Sequence, residues 1–341
     1  MNSTGKVDKK FLAGIGISLF FMGLLFRKID FNQLGAAFRT LHYGYLSLAL
    51  FVTFVSYGLR AVRWHYLVLP QKKAAPRNLL AATIICYMAN NLLPARLGEI
   101  IRAYVLAEKE QLETSSVFAT LVLDRLCDGF SVLIILVVTF FTVQLPPGME
   151  KVQNGLITGG YVTLSLYVGV IVFLVFLKRA TGATLKFVSA LLKPFPAAVS
   201  SKIIPLLGSF ISGIRLSSKP GELGALLVSS ALIWGTATWP VDLLLKAFGI
   251  DLPITAAMFI LVFLVFAVMV PASPGYIGTY HAACMYGLMA FNVPKEQALS
   301  VALVMHAINF FPVILLGFFF LWTEKISFAS LGKYGTAEDT P

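Results

Sequence analysis

Long apolar runs recur along the chain and are separated by short polar stretches. A helix needs about 20 predominantly apolar residues to cross a membrane, and several of these runs approach or exceed that length. The pattern therefore predicts an all-α polytopic membrane protein. The apolar runs cover residues 11–26, 46–62, 79–93, 115–143, 157–177, 222–245, 254–270, 276–291 and 298–322.

One run is too short to cross a membrane alone. Residues 79–93 end at Pro94, and the helical stretch that follows, 97–107, is short and carries Glu99 and Arg102. Broken backbone at membrane depth is tolerated only where it lines a cavity or packs within protein. The pattern predicts a re-entrant hairpin here.

The same break occurs twice. Pro94 follows Pro76 by eighteen positions and opens PARLG, and Pro271 follows Pro253 by eighteen positions and opens PASPG. Each half reads Pro, seventeen residues, then Pro-Ala-x-x-Gly, with a short helix after it. The sequence therefore predicts a first repeat at 46–143 and a second at 222–323, within a single membrane domain covering 1–341.

The long helices that follow the two breaks also align. LDRLCDGFSV (123–132) matches VMHAINFFPV (304–313), which sets Arg125 against His306 and Asp128 against Asn309. Three long helices separate the two hairpins, and an odd number of crossings makes the repeats inverted. We expect about six spanning helices plus two broken re-entrant hairpins.

Paired breaks of this kind mark the substrate site of many transporters. A Pro–Gly break exposes backbone N–H groups at a half-helix N-terminus, which suit a phosphate or another anion. The two breaks therefore predict an anion-binding site between the hairpins.

Composition agrees with a membrane protein. Hydrophobic residues make up 58% and charged residues 13% of the chain, against about 45–50% and 25% in ordinary soluble domains. The three cysteines, all in apolar segments, provide neither a disulfide framework nor metal-ligand spacing. We expect no cofactor and no metal.

The net charge of +11 is explained without nucleic acid. Most of the 27 Lys and Arg residues fall in segments that lie on one side when the N-terminus is cytoplasmic, as the positive-inside rule requires. We expect a bacterial-type cell (inner) membrane protein with both termini cytoplasmic. The run at 11–26 resembles a signal peptide but lacks a clear cleavage site, which predicts an uncleaved first helix.

Residues 182–219 mix apolar residues with Lys and Pro. They predict one or two amphipathic helices on the cytoplasmic leaflet, held by anionic lipid. A plain soluble loop is the alternative.

Charged residues within the run 115–143 sharpen the predicted site. Asp124, Arg125 and Asp128 lie near the bilayer midplane, where Arg125 can pair with Asp128. They either lock helix packing as a salt bridge or bind substrate together with the charged residues of the first break. The predicted substrate-binding residues are Asn91, Arg96, Glu99, Arg102, Asp124, Arg125, Asp128, Gly275, Gly278 and His281.

Other polar residues have structural interpretations. Arg60 and Arg63 end the second apolar run, and we expect them to reach the cytoplasmic headgroups. Asn90 and Asn91 are suited to capping the broken helix. His281 and His306 are single histidines on apolar helices, where packing or hydrogen bonding is the expected role. No HExxH, GxSxG or CxxC occurs, so no catalytic residues are predicted.

The stretches NNLLPARLGEIIRAYVL, LDRLCDGF and PASPGYIGTYH resemble, in that order and spacing, the membrane region of lysylphosphatidylglycerol synthases and a related flippase-like family. The resemblance covers roughly residues 10 to 325. It implies movement of lipid headgroups between leaflets. By analogy Arg96, Glu99 and Arg102 belong to the first motif and Arg125 and Asp128 to the polar pair, while Pro274, Gly275 and Gly278 belong to the last motif. The chain ends soon after its last helix, so no soluble synthase domain is expected.

The prediction is therefore a lipid transporter for a phospholipid or polyprenyl-linked lipid, compatible with an oligomer. A membrane-embedded lipid-modifying enzyme using Glu99 or His281 as base is one alternative. A non-catalytic subunit of a lipid-synthesis complex is another.

Overall fold

The computed structural model describes residues 39, 41–93, 96–143, 150–194, 196–269 and 274–326, and these ranges contain helices and no strand. The predicted all-α class is confirmed for them. The helices are α1 (Tyr43–Val68), α2 (Pro76–Leu92), α3 (Gly98–Glu110), α4 (Thr114–Thr142), α5 (Glu150–Arg179), α6 (Thr181–Leu191), α7 (Ala197–Gly213), α8 (Pro220–Ala247), α9 (Ile254–Met269), a 3-10 turn (Pro274–Tyr276), α10 (Thr279–Met289) and α11 (Lys295–Thr323).

Four of the described helices are long and apolar enough to cross a membrane: α1, α5 over residues 157–179, α8 and α11. Helix α4 has 29 residues, a similar length, but carries Asp124, Arg125 and Asp128 in its first half. The predicted first helix at 11–26 lies outside the described residues.

The helices of the two predicted repeats pack in matching ways. Helix α2 lies against α3 as α9 lies against α10, and α2 contacts α11 as α9 contacts α4. Helices α1 and α8, which occupy equivalent positions, form the most extensive helix pair. In each predicted half, the helix before the break thus packs against the last helix of the other half. The inverted orientation of the halves stays a prediction.

Both predicted hairpins are built from short helices. The 17 residues of α2 extend about 26 Å and the 13 of α3 about 20 Å, both less than the roughly 30 Å of a bilayer core. Helices α2 and α3 approach so closely that a Cβ on Gly98 would overlap the Cys86 carbonyl. Only glycine fits there, which explains why the break contains one.

The segment 182–219 forms two helices, α6 and α7. Helix α7 packs on the start of α4, where Gly213 lies against the backbone of Ser116 and Ile211 is buried. The sequence predicted one or two helices here and the structure has two, of which α7 also belongs to the packed interior. Their place on the cytoplasmic leaflet stays a prediction.

Candidate functional site

A buried ion cluster joins α1, α3 and α4. The Arg63 guanidinium on α1 donates from Nε to Asp124 Oδ1 at 2.8 Å and from Nη2 to Asp128 Oδ1 at 2.7 Å. Arg102 on α3 donates from Nη1 to Asp124 Oδ2 at 3.1 Å. The side chains of Arg63 and Arg102 are 0% exposed and that of Asp124 is 1% exposed. These three residues form the inner part of the cluster.

Aromatic and hydroxyl groups complete the inner part. The Arg102 guanidinium lies 4.0 Å over the Trp64 ring and donates to Thr83 Oγ1 at 3.0 Å. Trp64 donates its ring N–H to Thr120 at 2.9 Å. A buried charge costs several kcal/mol unless it is paired and hydrogen-bonded, and here the partners come from four helices. The inner part therefore fixes how α1, α2, α3 and α4 pack.

The outer part of the cluster is accessible. Arg125 lies 3.0 Å from Asp128 Oδ2 and 3.6 Å from Glu99 Oε1, and its side chain is 41% exposed. Arg60 lies 3.7 Å from Asp128 Oδ2 and over the Tyr87 ring. The predicted pairing of Arg125 with Asp128 is confirmed. Arg125 is therefore available to an incoming anion, whereas the Arg60 side chain is only 15% exposed.

The charges of the cluster do not cancel. Its four arginines, at positions 60, 63, 102 and 125, face three carboxylates, at positions 99, 124 and 128, which leaves one net positive charge. Several buried polar atoms also find no hydrogen-bond partner among the described residues. They include Tyr87 Oη, Glu99 Oε2 and Arg125 Nε. Buried polar groups are normally satisfied, so these atoms mark a place for water or a polar ligand.

The two helix breaks meet. Arg96 in the first break has a positive φ of 54°, and Tyr276 in the second has a φ of 55°. Such angles are costly for residues with a side chain and collect at functional sites. The Arg96 guanidinium lies 5.6 Å over the Tyr276 ring and donates to the Val268 carbonyl. Two strained residues, one from each break, are thus in direct contact.

The asparagines of the first break hold its backbone. Asn90 Oδ1 accepts the Gly98 N–H, at the start of α3, at 3.0 Å. The prediction that Asn90 and Asn91 cap the end of α2 is wrong, because the C-cap residue of that helix is Leu93. Asn91 donates to the Tyr87 carbonyl at 3.1 Å, and a Cβ on Gly275 would lie 3.5 Å from the Asn91 carbonyl. The predicted site residue Asn91 therefore contacts the second break through its backbone.

The second break holds a histidine pair. Gly275 and Gly278 have φ of 71° and 92°, angles that favour glycine. The Gly278 N–H donates to His281 Nδ1 at 3.3 Å, and His281 Nε2 lies 3.0 Å from His306 Nδ1. Since His281 Nδ1 accepts a hydrogen bond, a neutral His281 carries its proton on Nε2 and donates to His306. The predicted hydrogen-bonding role of both histidines is confirmed.

The structure divides the predicted site into two groups and corrects one expectation. Arg96, Glu99, Arg125 and Asp128 lie at accessible positions or close to them, whereas Arg102 and Asp124 are sealed inside. The expectation that Arg63 reaches the headgroups is wrong, because its guanidinium is fully buried between two aspartates. Arg60 also points inward to Asp128.

The sequence did contain a signal that Arg63 pairs with the aspartates of α4. Arg60 and Arg63 lie three apart on α1, and Asp124 and Asp128 lie four apart on α4, so each pair shares one helix face. Trp234, which donates its ring N–H to Asp128 Oδ1 at 3.3 Å, had no such signal. Its contact depends on the packing of α8 against α4.

The described ranges hold no group of three or more His, Cys, Asp or Glu side chains arranged to bind a metal ion. The arrangement offers accessible arginines, a carboxylate network and two glycine-containing breaks. This set can bind an anion and balance its charge.

Comparisons with known proteins give the family. The sequence model described as the lysylphosphatidylglycerol synthase TM region matches residues 11–317. Glycosyltransferase AglD of Haloferax volcanii is 22% identical over 322 residues, which are 87% of this chain and 52% of that protein. The chain thus spans about half the length of this relative.

Two other relatives are matched over most of their length. A UPF0104 membrane protein of Methanothermobacter thermautotrophicus is 25% identical over 291 residues, covering 80% of this chain and 83% of the relative. A UPF0104 membrane protein of Pyrococcus horikoshii is 22% identical over 304 residues, covering 84% and 89%. No solved structure matches the chain. With its long apolar helices and a match over nearly its whole length, the chain is a membrane protein that belongs to the lysylphosphatidylglycerol synthase TM region family.

Proposed function

We propose that this protein moves a phospholipid or a polyprenyl-linked headgroup from one membrane leaflet to the other. The observation that carries the proposal is the contact between the two helix breaks, made by Arg96 and Tyr276. Paired breaks in corresponding positions of two halves are the usual site of substrate binding in transporters. Since irregular backbone at membrane depth must line a cavity or pack in protein, a meeting point of two breaks is suited to a polar cargo.

The proposed architecture is an inverted repeat of two halves, α1–α4 and α8–α11, each with one re-entrant hairpin. The reciprocal packing of α2 on α11 and of α9 on α4 supports it. Counting the apolar run at 11–26, six helices would span the membrane. The distribution of Lys and Arg supports cytoplasmic termini in a cell membrane.

The outer part of the ion cluster is the proposed headgroup site. Arg125 and Arg60 would bind the lipid phosphate, because they are partly exposed and the cluster carries one net positive charge. Glu99 and Asp128 would balance the charge when the phosphate leaves. Arg102, which sequence reasoning placed with the anchors, instead acts with Arg63 and Asp124 as the scaffold of this site.

Transport is tested with purified full-length protein in liposomes that contain fluorescent phospholipid. We expect lipid to cross the bilayer faster than in protein-free liposomes and to stay chemically unchanged. Arg125→Gln should lower the rate, whereas Arg215→Gln should not, since Arg215 is an exposed residue after α7. A modified lipid product, with movement at the protein-free rate, would favour the enzyme alternative. Equal rates in the two variants would exclude Arg125 as an anchor.

A further inference from the structure

A large groove is lined by residues that do not belong to the helix breaks. It has a volume of about 1010 Å³ and is lined by α4, α5 and α8, with contributions from the residues just after α7 and from the start of α9. On α8 the lining extends from Leu226 to Trp239, which corresponds to about 20 Å along the helix. The groove is therefore comparable in length to a lipid hydrocarbon chain.

The groove presents an apolar surface even where its lining residues carry hydroxyl groups. Ser131, Ser230 and Thr238 line it, but each hydroxyl donates to the carbonyl four residues earlier in its own helix, at 2.9–3.0 Å. The hydroxyl donors are thereby satisfied within the helices. The remaining lining is dominated by Leu, Ile, Val and aromatic side chains. Such a surface favours a hydrocarbon occupant over a polar one.

Charge is confined to one end of the groove. Lys178 and Arg179, at the C-terminal end of α5, line it and are exposed. Lys178 donates to the Ile211 carbonyl at 3.4 Å, and neither residue forms an ion pair with the described part of the chain. No carboxylate is among the described lining residues. An anion placed at this end would meet two cations and no opposing charge.

We propose that this groove binds an anionic phospholipid of the surrounding bilayer, with its phosphate at Lys178 and Arg179 and one acyl chain along α4 and α8. The basic end fits the phosphate, and the apolar length fits the chain. The inference rests on the chain being a membrane protein and does not require lipid transport. It assigns a second lipid site, separate from the outer arginines.

The groove is physically linked to the ion cluster. Trp234 lines the groove and donates its ring N–H to Asp128 Oδ1 at 3.3 Å, and Tyr167 lines it and donates to the Arg125 carbonyl at 2.6 Å. An acyl chain packed on these two rings would hold the helix that carries Arg125 and Asp128. The bound lipid would in this way stabilise the outer part of the cluster.

The charge requirement is tested by native mass spectrometry of the full chain released from nanodiscs of phosphatidylglycerol and phosphatidylcholine. Wild type should retain phosphatidylglycerol preferentially. The Lys178→Gln/Arg179→Gln variant should lose roughly thirtyfold in this preference, since both basic residues near the membrane surface attract anionic lipid. The control, Lys186→Gln/Lys193→Gln, removes two exposed lysines of the α6 region that do not line the groove, and it should behave as wild type.

The chain requirement is tested with two glycines of α8. A Cβ meets nothing within 4 Å at either Gly235 or Gly224, but only Gly235 lines the groove. Gly235→Leu should reduce retained lipid severalfold, and Gly224→Leu should not. Three results would overturn the proposal. The first is an unchanged phosphatidylglycerol preference in Lys178→Gln/Arg179→Gln, and the second is an equal loss of preference in the control Lys186→Gln/Lys193→Gln. The third is full lipid retention in Gly235→Leu. A variant with Ser131→Cys and a second cysteine introduced within 11–26 gives a further test. A disulfide between these two cysteines would also overturn the proposal, because the N-terminal segment of the chain itself, not a lipid, would then fill the groove. Binding is measured without transport, so failure here leaves the proposed function standing.

Discussion

The two helix breaks connect to the long helix that follows them by different chemistry. In the first half, Glu99 near the start of α3 reaches Arg125 on α4 through an ion pair. In the second half, His281 near the start of α10 reaches His306 on α11 through a hydrogen bond between two imidazole rings. Arg125 and His306 are the positions that the internal sequence repeat aligns. Equivalent positions are thus joined once by a carboxylate–guanidinium ion pair and once by an imidazole–imidazole hydrogen bond.

This difference predicts unequal rigidity. Removing Asp124, which pairs with Arg63 and Arg102 in the buried inner part of the cluster, costs on the order of 3–5 kcal/mol, whereas a neutral hydrogen bond contributes about 0.5–1.5 kcal/mol. The inner part of the cluster joins four helices of the first half, whereas the described ion pair of the second half, Lys246 with Asp242, lies within α8 alone. We therefore expect the second hairpin to shift more readily than the first.

Asp124→Asn should have the largest effect. It would leave Arg63 and Arg102 without their shared carboxylate, and the expected loss of stability is on the order of 3–5 kcal/mol. Thermal unfolding in detergent measures it. Asp251→Asn, at an exposed position after α8, is the control and should change little. A melting temperature like that of wild type would show that the inner part does not hold the fold.

Arg102→Gln and Arg125→Gln should have opposite effects. Arg102 is sealed against Trp64 and Asp124, so its loss should lower the melting temperature while transport per folded molecule stays intact. Arg125 is half-exposed, so its loss should lower transport about tenfold or more, because a charge-assisted bond contributes about 1.5–3 kcal/mol. Arg125→Lys should be only partly impaired, since it keeps the charge but loses the planar fork. The reverse assignment would make Arg102 the headgroup anchor.

His306→Phe tests the contribution of the histidine pair to the stability of the second half. Phenylalanine keeps a ring against Tyr280, which stacks on His306 at 5.0 Å, but it removes the hydrogen bond to His281. The expected loss of stability is about 1 kcal/mol, smaller than for Asp124→Asn. Tyr286→Phe, at an exposed ring on α10, is the control. A loss as large as that of Asp124→Asn would remove the contrast between the halves.

Acidic pH should destabilise the first hairpin, but not the second, at the end away from the break, where α2 begins and α3 ends. Burial raises the pKa of Glu110, but hydrogen bonds from the Ala75 N–H, Asn78 and Lys72 outweigh it and hold the pKa below its usual 4.5. The pKa of Glu324 is lowered by its hydrogen bond from Lys109.

A lowered pKa stabilises the fold above the usual pKa, and this contribution is lost as the pH falls through the lowered value. Hydrogen-exchange protection factors, which are corrected for the intrinsic pH dependence of exchange, should therefore be lower at pH 4 than at pH 7 at the start of α2 and the end of α3. The protection of the uncharged end of α10, Leu288–Met289, should change less. Glu110→Gln/Glu324→Gln should abolish the difference. An equal loss of protection in both hairpins would contradict the assignment.

Much of the fold followed from local pattern. Most of the helices that match a predicted apolar run begin and end close to it, because length and hydropathy alone decide which segments partition into a bilayer. The exceptions are α1, which continues to Val68 beyond the run 46–62, and α5, which begins at Glu150 before the run 157–177. The break after Leu92 was predicted because proline disfavours helical geometry in the residue before it. The close approach of Gly98 to the Cys86 carbonyl explains why the motif also contains a glycine after the proline.

The site was predicted only in part. The pairing of Arg125 with Asp128 is local, at i and i+3, and could be found from spacing. The burial of Arg102 and the inward direction of Arg63 could not, since an arginine at a helix end reaches headgroups or a carboxylate according to what packs beside it. The groove was not predicted either, because its walls come from helices distant in sequence.

The sequence by itself determined that this is a helical membrane protein, and it predicts two broken hairpins and an internal repeat. Those properties depend on residue type and spacing along one segment. The tertiary structure decided which charges face each other and that the two breaks touch through Arg96 and Tyr276. It also decided that α4, α5 and α8 form a groove with two basic residues at one end. Spacing fixes only the face of a helix on which a side chain lies, and the packing of other helices against that face decides its partner.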